Sequence, residues 1–326
     1  MTQDRQEASR SRRFGGSLVN RGFVYRERLG EVPPGTTVLR HLCARYRHSS
    51  EAEWRDRIAS GGIFRNGEPA TEDALLAGGD VLEWRRPPWN EPDAPESFVL
   101  LHEDEHVLGI CKPAGLPTLP GGGFLDRTLL ALVRKEHPEA TPVHRLGRWT
   151  SGVVLFARTR VARAGLSESL RNGTAVKLYR ACALGWPEQD RWTVEVPIGP
   201  VPHPLLGTVH AALRDGRRAR TEVLVVERRA DGFLADVLIA TGRPHQIRIH
   251  LAASGYPLAG DPLYAAGGVP LPETRAVPGD GGYLLHAASI LVPHPGSGET
   301  VRIEAAIPRE LRSRGEGAGG TATPLS

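Results

Sequence analysis

The stretch VHRLGRWTSGVVLF, residues 143–156, joins a crowded polar loop to a buried strand. Its first part gathers histidine, arginine and threonine side chains around Gly147, where a strand or a tight turn would otherwise carry apolar residues. Its second part, Gly152–Phe156, is an apolar run with the length and composition of a buried strand. Polar residues gathered at the entrance to a buried strand indicate a functional loop.

Two further segments have the same character. Residues 177–181 read KLYRA, and residues 241–250 read TGRPHQIRIH, with GDPLY following at residues 260–264. Taken singly, each has a simple structural explanation, because a tyrosine in a strand usually belongs to a core or an interface. Three histidines in these segments could be considered as metal ligands: His144, His245 and His250. No HExxH helix and no cysteine partner accompanies them, so the sequence predicts no metal site.

The region around these segments mixes short strands with occasional helices. Apolar runs predict strands at Val107–Cys111, Gly152–Phe156, Arg220–Val226 and Leu234–Ala240. Helical periodicity predicts helices at Thr128–His137 and Arg160–Arg171. The two kinds of element do not alternate regularly. We therefore expect an α+β fold, a mixed and largely antiparallel sheet with peripheral helices, and not a doubly wound sheet.

A small module is predicted ahead of this region, over residues 34–85. A first helix is indicated by apolar residues at helical spacing, namely Val38, Leu39, Leu42 and Tyr46. Arg40 and Arg47 fall on a common side of that helix, away from the apolar stripe. Ser50 and Glu53 form a capping box that announces a second helix, which is expected to stop at the glycine pair after residue 60.

A short hairpin completes the module. Ile63–Arg65 reads as a strand, Asn66 and Gly67 give a turn signal, and a last strand is expected after Asp80. Two helices and a hairpin enclose too small a core for an enzyme, so we interpret the module as a docking unit. Its exposed arginines, Arg40 and Arg47, are the candidates for phosphate contacts.

Composition shifts set the predicted boundaries. Residues 86–96 are rich in proline and read as a linker, because proline continues neither a helix nor a central strand. The larger domain is expected over residues 97–310. Residues 1–20 lack a hydrophobic core typical of a signal peptide and read as a disordered tail. Residues 313–326, rich in glycine and threonine, read as a second disordered tail.

Overall composition excludes several classes of protein. With 40% hydrophobic and 24% charged residues the chain is an ordinary globular protein, and no run approaches the length of a bilayer span. Three cysteines, without a CxxC pair, favour a reducing compartment, so a cytoplasmic protein is expected. Arginine supplies 38 of the 41 cationic residues, which fits either a GC-rich genome or phosphate and base contacts.

Together the three segments resemble the RluA family of pseudouridine synthases. The family pattern HRLDxxTSG stands here as residues 144–152, and its K-x-Y-x-A element falls on residues 177–181. The element T-G-R-x-H-Q-I-R-x-H corresponds to residues 241–250, with GDPLY after it. The segments Lys112–Gly115, Leu285–Ala287 and Ala306–Pro308 echo the family more weakly. The N-terminal module resembles the alpha-L RNA-binding module, so the likeness covers roughly residues 36–310.

The resemblance implies conversion of uridine to pseudouridine in RNA, ribosomal or transfer RNA in particular, with no cofactor and no metal. We also expect the protein to act as a monomer. The target uridine would be flipped out of its stack. Tyr179 would stack on the base and serve as a late base, and Arg248 would pair with a catalytic aspartate. Arg145 would fill the gap that the flipped nucleotide leaves.

Further roles follow from the same resemblance. The matched motifs assign substrate binding to His144, Arg145, Thr150, Arg243, His245 and Gln246. The likeness of the small module to an alpha-L module makes Arg40 and Arg47 the predicted RNA-docking residues.

One position departs from the family pattern. The catalytic aspartate is replaced by Gly147, and the neighbouring Arg148 carries the opposite charge. In one hypothesis the protein is an enzyme that uses another carboxylate, with Asp126 and Asp261 the nearest candidates along the chain. In the other it keeps RNA binding without catalysis, as an assembly or chaperone factor. Simpler roles exist for both carboxylates, a helix N-terminal charge for Asp126 and a turn hydrogen bond for Asp261.

Overall fold

The computed structural model describes residues 11–13, 19–46 and 48–317 of the 326-residue chain. The chain divides into two compact units. One comprises Gly16–Glu91, and the other comprises Met1–Gly15 together with Pro92–Ser326. The predicted linker at residues 86–96 contains the boundary between them.

The smaller unit packs two helices against a four-stranded sheet. Its elements are β2 (Phe23–Arg28), α1 (Val38–Arg45), α2 (Glu51–Ala59), β3 (Ile63–Arg65), β4 (Glu68–Pro69) and β5 (Val81–Arg86). The strands lie in the order β2-β5-β3-β4. Both helices and the hairpin were predicted, whereas β2 lies outside the predicted bounds of residues 34–85.

Local signals explain how this unit forms. The capping box is present, since the Ser50 hydroxyl accepts from the Glu53 amide while the Glu53 carboxylate accepts from the Ser50 amide. Asn66 adopts a left-handed φ of 51°, as the Asn-Gly turn requires. Trp54 and Ile58 of α2 are buried against Val38 of α1 and its neighbours. The apolar face of each helix therefore supplies the core.

The larger unit is built on one extended sheet with helices at its faces. Its first strands are β1 (Ser11–Arg13), β6 (Ser97–Glu103), β7 (Val107–Lys112), β8 (Thr141–Pro142) and β9 (Ser151–Ala157). Next come β10 (Val176–Leu184), β11 (Arg191–Val194), β12 (Ile198–His203), β13 (Gly207–Ala212), β14 (Thr221–Arg229), β15 (Gly232–Ile239), β16 (Leu285–Pro293) and β17 (Thr300–Glu304). The helices are α3 (Leu129–Arg134), α4 (Arg160–Asn172) and α5 (Gln246–Ala253).

The strand order brings the first two polar segments to the middle of the sheet. The main path runs β1-β6-β7-β9-β16-β10-β15-β14-β11, and β12 pairs with β13 in a separate hairpin. Among the described strands, the pairs are antiparallel except for β9 with β16, which run parallel at Ser151 and Gly152. This confirms the α+β prediction. The first polar loop leads into β9, and the KLYRA segment lies on β10, with β16 between the two strands.

Gly152 permits the close approach of β9 and β16. A Cβ atom at this position would lie 2.1 Å from the Ala287 carbonyl oxygen, and Gly152 has a φ of 107°. Only glycine fits both the space and the backbone conformation. The glycine that ends the first polar segment is therefore required by strand packing.

The segment TGRPHQIRIH forms a turn and the start of a helix. The sequence indicated crowded polar residues in a strand or tight turn, but α5 begins at Gln246 and continues to Ala253. Every residue from Gln246 to Ala252 is buried. A helix buried on all sides lacks the amphipathic period that marks a surface helix, which explains why it was missed.

Parts of both predicted tails are ordered. Ser11–Arg13 pair as β1 with β6, so this part of the 1–20 tail prediction is wrong. Glu316 forms an ion pair with the buried Arg180 of β10, so the tail predicted from residue 313 begins too early. Residues 1–10, 14–18 and 318–326 of the two predicted tails lie outside the described residues. Residues 19 and 20 of the first tail are described as well. Within the described ranges, no helix has the length and apolar content needed to span a bilayer.

Candidate active site

The three polar segments line a single cavity of about 320 Å³. This volume lies within the range of pockets that bind small ligands, roughly 300–1,000 Å³. The cavity is lined by His144, Arg145, Leu146, Gly147, Thr150, Lys177, Tyr179, Ile239, Gly242, Arg243, His245, Gln246, Ile247, Arg248, Tyr283 and Leu285. Residues that are far apart in the sequence therefore meet at one site.

Lys112 holds the first polar loop in place. Its buried ammonium group donates to the carbonyl oxygens of Pro113, Leu116 and Arg148, at 2.8, 2.7 and 2.9 Å. Burial lowers the pKa of Lys112 to about 7. The three carbonyls match the three donors of the charged form, so this geometry favours the ammonium. Lys112 thus ties the loop after β7 to the loop that precedes β9.

Other contacts fasten the same two loops. The Gly115 amide donates to the Arg148 carbonyl at 2.9 Å, and the Arg148 guanidinium donates to the Gly115 carbonyl at 3.0 Å. The Thr118 hydroxyl donates to the Leu146 carbonyl at 3.0 Å. Arg148 is therefore a loop-fastening residue. The backbone on either side of Gly147 is fixed by these contacts.

Gly147 brings no side chain into the cavity, at the position where the resemblance would place a catalytic aspartate. A Cβ atom built at Gly147 would lie 3.1 Å from the Tyr283 hydroxyl and 3.4 Å from the Thr150 hydroxyl. The backbone of Gly147 is outside the left-handed region, so a side chain there meets no conformational barrier. Among the described residues, none that lines the cavity is an aspartate or a glutamate.

Arg248 already has a carboxylate partner. Its Nε and one terminal nitrogen donate to the two oxygens of Asp261, both at 2.7 Å, and the two side chains are 3% and 1% exposed. From the sequence, Arg248 was expected to face the position of a catalytic aspartate that the family pattern has and this chain lacks. In the structure, Arg248 is engaged by the aspartate of the GDPLY segment.

Neither alternative carboxylate reaches the cavity. Besides Arg248, Asp261 accepts hydrogen bonds from the amides of Leu263 and Tyr264, at 2.9 and 3.1 Å. Its oxygens are thus used within the fold. Asp126 is half-buried just ahead of α3 and does not line the cavity. The geometry supports the structural roles for both residues.

Tyr179 faces the cavity from β10 and also belongs to the core. It is 7% exposed and packs in the main apolar cluster of the larger unit. Burial raises the pKa of its hydroxyl well above the ordinary value. The stacking and late-base roles of Tyr179 stay predictions, and its burial means that truncation to alanine would also cost stability.

The two cavity histidines are held neutral. The His144 Nε2 accepts from the Leu155 amide at 3.0 Å, and burial, followed by the charge of Lys177, lowers its pKa to about 3. His245 has a left-handed φ of 54° and its Nδ1 lies 2.8 Å from the Tyr264 hydroxyl. Burial, followed by the charge of Arg248, lowers the pKa of His245 to about 3. Both can therefore offer hydrogen bonds without charge.

The Gln246 side chain, which was predicted to bind substrate, is hydrogen-bonded within the protein. Its side-chain oxygen accepts from the Thr241 hydroxyl and the Arg243 amide, and its nitrogen donates to the Arg220 carbonyl and the Thr221 hydroxyl. All the hydrogen-bonding capacity of the amide is used inside the protein. Gln246 therefore fastens the turn before α5, and its side chain is not available to a substrate.

Positive charge borders the cavity. Arg145 is exposed at its edge, and Lys177 is buried, with Nζ donating to the Thr241 carbonyl at 3.2 Å. Burial lowers the pKa of Lys177 to about 8. Arg243, which lines the cavity, donates to the Arg218 carbonyl at 3.0 Å. This hydrogen bond places the exposed residues Arg217 and Arg218 beside the cavity. Cationic groups around an acid-free cavity suit a phosphate-bearing ligand.

Two residues of the site were missed from sequence, Tyr283 and Lys112. Lys112 lies in the segment Lys112–Gly115, which resembles the family weakly, but no role was predicted for it. Tyr283 precedes the echo at Leu285–Ala287 and shows no local pattern of its own. Thr150, predicted to bind substrate, is buried with its hydroxyl 3.4 Å from that of Tyr283.

The predicted docking residues lie in the smaller unit. Arg40 is exposed on α1, which ends at Arg45, and Arg47 lies outside the described residues. Within the ranges that the structure describes, no group of three histidine, cysteine, aspartate or glutamate side chains could hold a metal ion.

Known proteins resemble this chain in sequence and fold. The family model described as RNA pseudouridylate synthase matches residues 106–253. An uncharacterized RNA pseudouridine synthase of Synechocystis sp. is 39% identical over 269 residues, covering 82% of this chain and 92% of that protein. RNA pseudouridine synthase 5 of Arabidopsis thaliana is 36% identical over 354 residues, covering 91% and 96%. The solved structure of human RNA pseudouridylate synthase domain containing 4 shares the fold, with a TM-score of 0.51 and 24% identity over 65% of this chain and 89% of that chain.

Proposed function

The chain belongs to the RNA pseudouridylate synthase family, and on that premise we propose that it converts uridine to pseudouridine in structured RNA, ribosomal or transfer RNA in particular. The observation that carries the proposal is that the three polar segments line one cavity, in which Tyr179, Arg248 and the loop around Gly147 meet. The cavity is concave, bordered by cationic groups and large enough for a nucleoside.

The proposed reaction requires a base outside the RNA stack, because the target carbon atoms are not accessible in a duplex. Tyr179 supplies an aromatic ring against which the flipped uracil stacks. Arg145, exposed at the edge of the cavity, fills the gap in the RNA. His144, Thr150, Arg243 and His245 line the same cavity and supply polar contacts to the nucleotide.

The smaller unit is proposed to dock RNA through phosphate contacts, in the manner of an alpha-L module. The exposed position of Arg40 supports this role. We further propose that the protein acts as a cytoplasmic monomer. All three cysteines are free, which is consistent with a reducing compartment.

A second candidate function is RNA binding without catalysis. The observation in its favour is that no aspartate or glutamate of the described part of the chain lines the cavity, while Asp261 is engaged by Arg248 and by backbone amides. A protein of this kind would serve in RNA assembly or as an RNA chaperone.

Counting pseudouridine separates the two functions. Mass spectrometry of ribosomal and transfer RNA from cells with and without the gene should show at least one uridine that is converted only when the gene is present. Complementation with a Tyr179→Phe variant should leave that uridine unconverted, while an Arg163→Ala variant, altered on α4 away from the cavity, should restore it. Identical pseudouridine contents in the two strains would leave the binding function as the better account.

A further inference from the structure

A tyrosine hydroxyl stands where the side chain of the family aspartate would begin. The Tyr283 hydroxyl lies 3.1 Å from the position of a Cβ atom on Gly147, and the next nearest atom is the Thr150 hydroxyl at 3.4 Å. Tyr283 itself lines the cavity and is 5% exposed. The space that a carboxylate would occupy is thus bordered by the Tyr283 oxygen, which can act as an acid, a base or a nucleophile.

The surroundings of Tyr283 suit a reactive phenol. The Arg248 guanidinium lies 4.3 Å from the centre of the Tyr283 ring, and the Thr150 hydroxyl is 3.4 Å from the Tyr283 oxygen. Burial raises the pKa of Tyr283, while the charge of Arg248 opposes that rise. The negative charge of Asp261, which is held in place by its hydrogen bonds from Arg248, also raises the pKa of Tyr283.

We propose that Tyr283 is the nucleophile of this protein, and that its oxygen attacks C1′ of the target ribose in place of the missing aspartate. The inference rests on the proposed synthase function. Tyrosine is among the side chains that form covalent intermediates, and some glycosidases use a tyrosine nucleophile. Arg248 stabilises the negative charge on the phenolate, and Thr150 orients it.

The proposed steps balance without a further reactant. The Tyr283 hydroxyl first loses its proton to water. Its oxygen then bonds to C1′ as the C1′–N1 bond breaks, and the electron pair of that bond leaves on uracil as an anion. After the uracil turns, C5 bonds to C1′, and the electron pair of the O–C1′ bond returns to Tyr283. A base takes the proton from C5, and N1 gains one from water, which completes pseudouridine.

The variants isolate one oxygen atom. Tyr283→Phe removes the hydroxyl and keeps the ring that packs in the core. Tyr256→Phe is the matched control, because Tyr256 packs in an aromatic cluster and does not line the cavity. The double variant Gly147→Asp with Tyr283→Phe supplies a carboxylate and removes the Tyr283 hydroxyl. That hydroxyl would lie 3.1 Å from the Cβ atom of the new aspartate, so its removal makes room for the side chain.

Tritium release from total RNA labelled at C5 of uracil measures the reaction. Tyr283→Phe should reduce the rate at least about 100-fold, and Tyr256→Phe should stay within about twofold of wild type. The double variant should regain at least about tenfold over Tyr283→Phe. Binding of the same RNA and the thermal midpoint should be unchanged in Tyr283→Phe, since a merely structural tyrosine would alter them.

The pH profile gives an independent readout. A phenolate with a raised pKa makes the wild-type rate rise by about tenfold per pH unit between roughly pH 6 and 9, whereas a carboxylate is ionised throughout that range. The double variant should therefore show a flat profile. The rates are measured at saturating RNA, so that Lys177, with its pKa lowered to about 8, does not act through binding.

The outcomes separate this inference from the proposed function. An active wild type with an equally active Tyr283→Phe variant would overturn the inference and leave the synthase function standing. An inert wild type would overturn both. If the wild type were inert and the double variant active, the native chain would be an RNA-binding protein on a scaffold that only a carboxylate makes catalytic.

Discussion

At the scale of single residues, the ion pair between Arg248 and Asp261 decides what the GDPLY segment does. Both side chains are almost fully buried, and two hydrogen bonds of 2.7 Å join them. Removing one partner of a buried pair leaves an uncompensated charge in a medium of low dielectric constant. Asp261 is therefore a structural residue, and its removal should act on folding before it acts on chemistry.

We predict that Asp261→Ala lowers the free energy of unfolding by about 3–5 kcal/mol, measured by urea denaturation. Asp93→Ala is the matched control, because Asp93 pairs with Arg127 but its side chain is 97% exposed. The control should cost no more than about 1 kcal/mol, since exposed pairs contribute little. A stable Asp261→Ala variant without catalytic activity would contradict this assignment and make Asp261 a catalytic carboxylate again.

The sequence predicted which residues line the site better than it predicted their partners. Gly147, Tyr179 and Arg248 were all expected at the site, and all three line the cavity. From the sequence, Arg248 was expected to face position 147 without an acidic partner, because the family pattern places a carboxylate where this chain has Gly147. Which acidic group reaches a guanidinium depends on how α5 and the following loop pack, and no sequence pattern records that distance. Tyr283 was missed for the same reason.

At the scale of elements, a buried aspartate holds the hairpin end of the smaller unit. The Asp80 carboxylate accepts from the Arg65 side chain, the Asn66 side chain and the Ala77 amide, at 2.7, 2.7 and 2.8 Å. These bonds connect the end of β3 to the start of β5. The hydrogen bond from Arg65 and the others lower the pKa of Asp80 to about 2.

The lowered pKa sets the sign of a pH dependence. An aspartate with a depressed folded-state pKa stabilises the fold above its ordinary value of about 4, and that stabilisation disappears as the pH falls through about 2. Asp80→Asn should therefore weaken the hairpin by about 1–2 kcal/mol at neutral pH, after allowance for solvent screening.

Hydrogen–deuterium exchange of the peptide spanning residues 63–86 provides the measurement. Exchange should be faster in Asp80→Asn than in wild type between about pH 5 and 7, and the difference in protection should narrow below about pH 4. Asp73→Asn is a control on the same loop, with its carboxylate exposed beside Thr71. A difference that kept its size down to about pH 2 would show that the bonds to Asp80 do not depend on its charge.

Elements with local signals were predicted, and elements that depend on distant packing were not. The capping box and the Asn-Gly turn are fixed by a few neighbouring residues, and both are present. The helix α5 has no exposed face, and β1 and β2 are ordered by pairing with β6 and β5. Nothing within those three segments specifies their partners. From the sequence, α5 was therefore part of a polar segment, β1 was part of a predicted tail, and β2 was not assigned to an element.

At the scale of the whole molecule, both units carry exposed arginines that suit an RNA backbone. Arg217 and Arg218 lie beside the cavity and form no ion pair within the described part of the chain, and Arg40 is exposed on α1. The net charge of +4 does not reveal these arginines, because it sums the charges of the whole chain and does not show where they lie. Codon bias in a GC-rich genome explains a high arginine content by itself, but it does not explain arginines beside a cavity, and their placement favours RNA contact.

A salt titration of RNA binding tests whether the two units contribute to one binding event. Removing a single phosphate contact should reduce the slope of log K against log salt by about 0.7–0.9, because fewer counterions are released. Arg217→Ala with Arg218→Ala should therefore lower the slope by up to about 1.4–1.8, and Arg40→Ala by about 0.7–0.9.

Arg160→Ala with Arg163→Ala is the matched control for this titration, since both residues are exposed on α4 and neither lines the cavity. The control should keep the wild-type slope. If the triple variant of Arg40, Arg217 and Arg218 showed the sum of the separate reductions, both units would contact RNA in the same complex. An unchanged slope in Arg40→Ala would instead remove that residue from the RNA interface and confine phosphate binding to the larger unit.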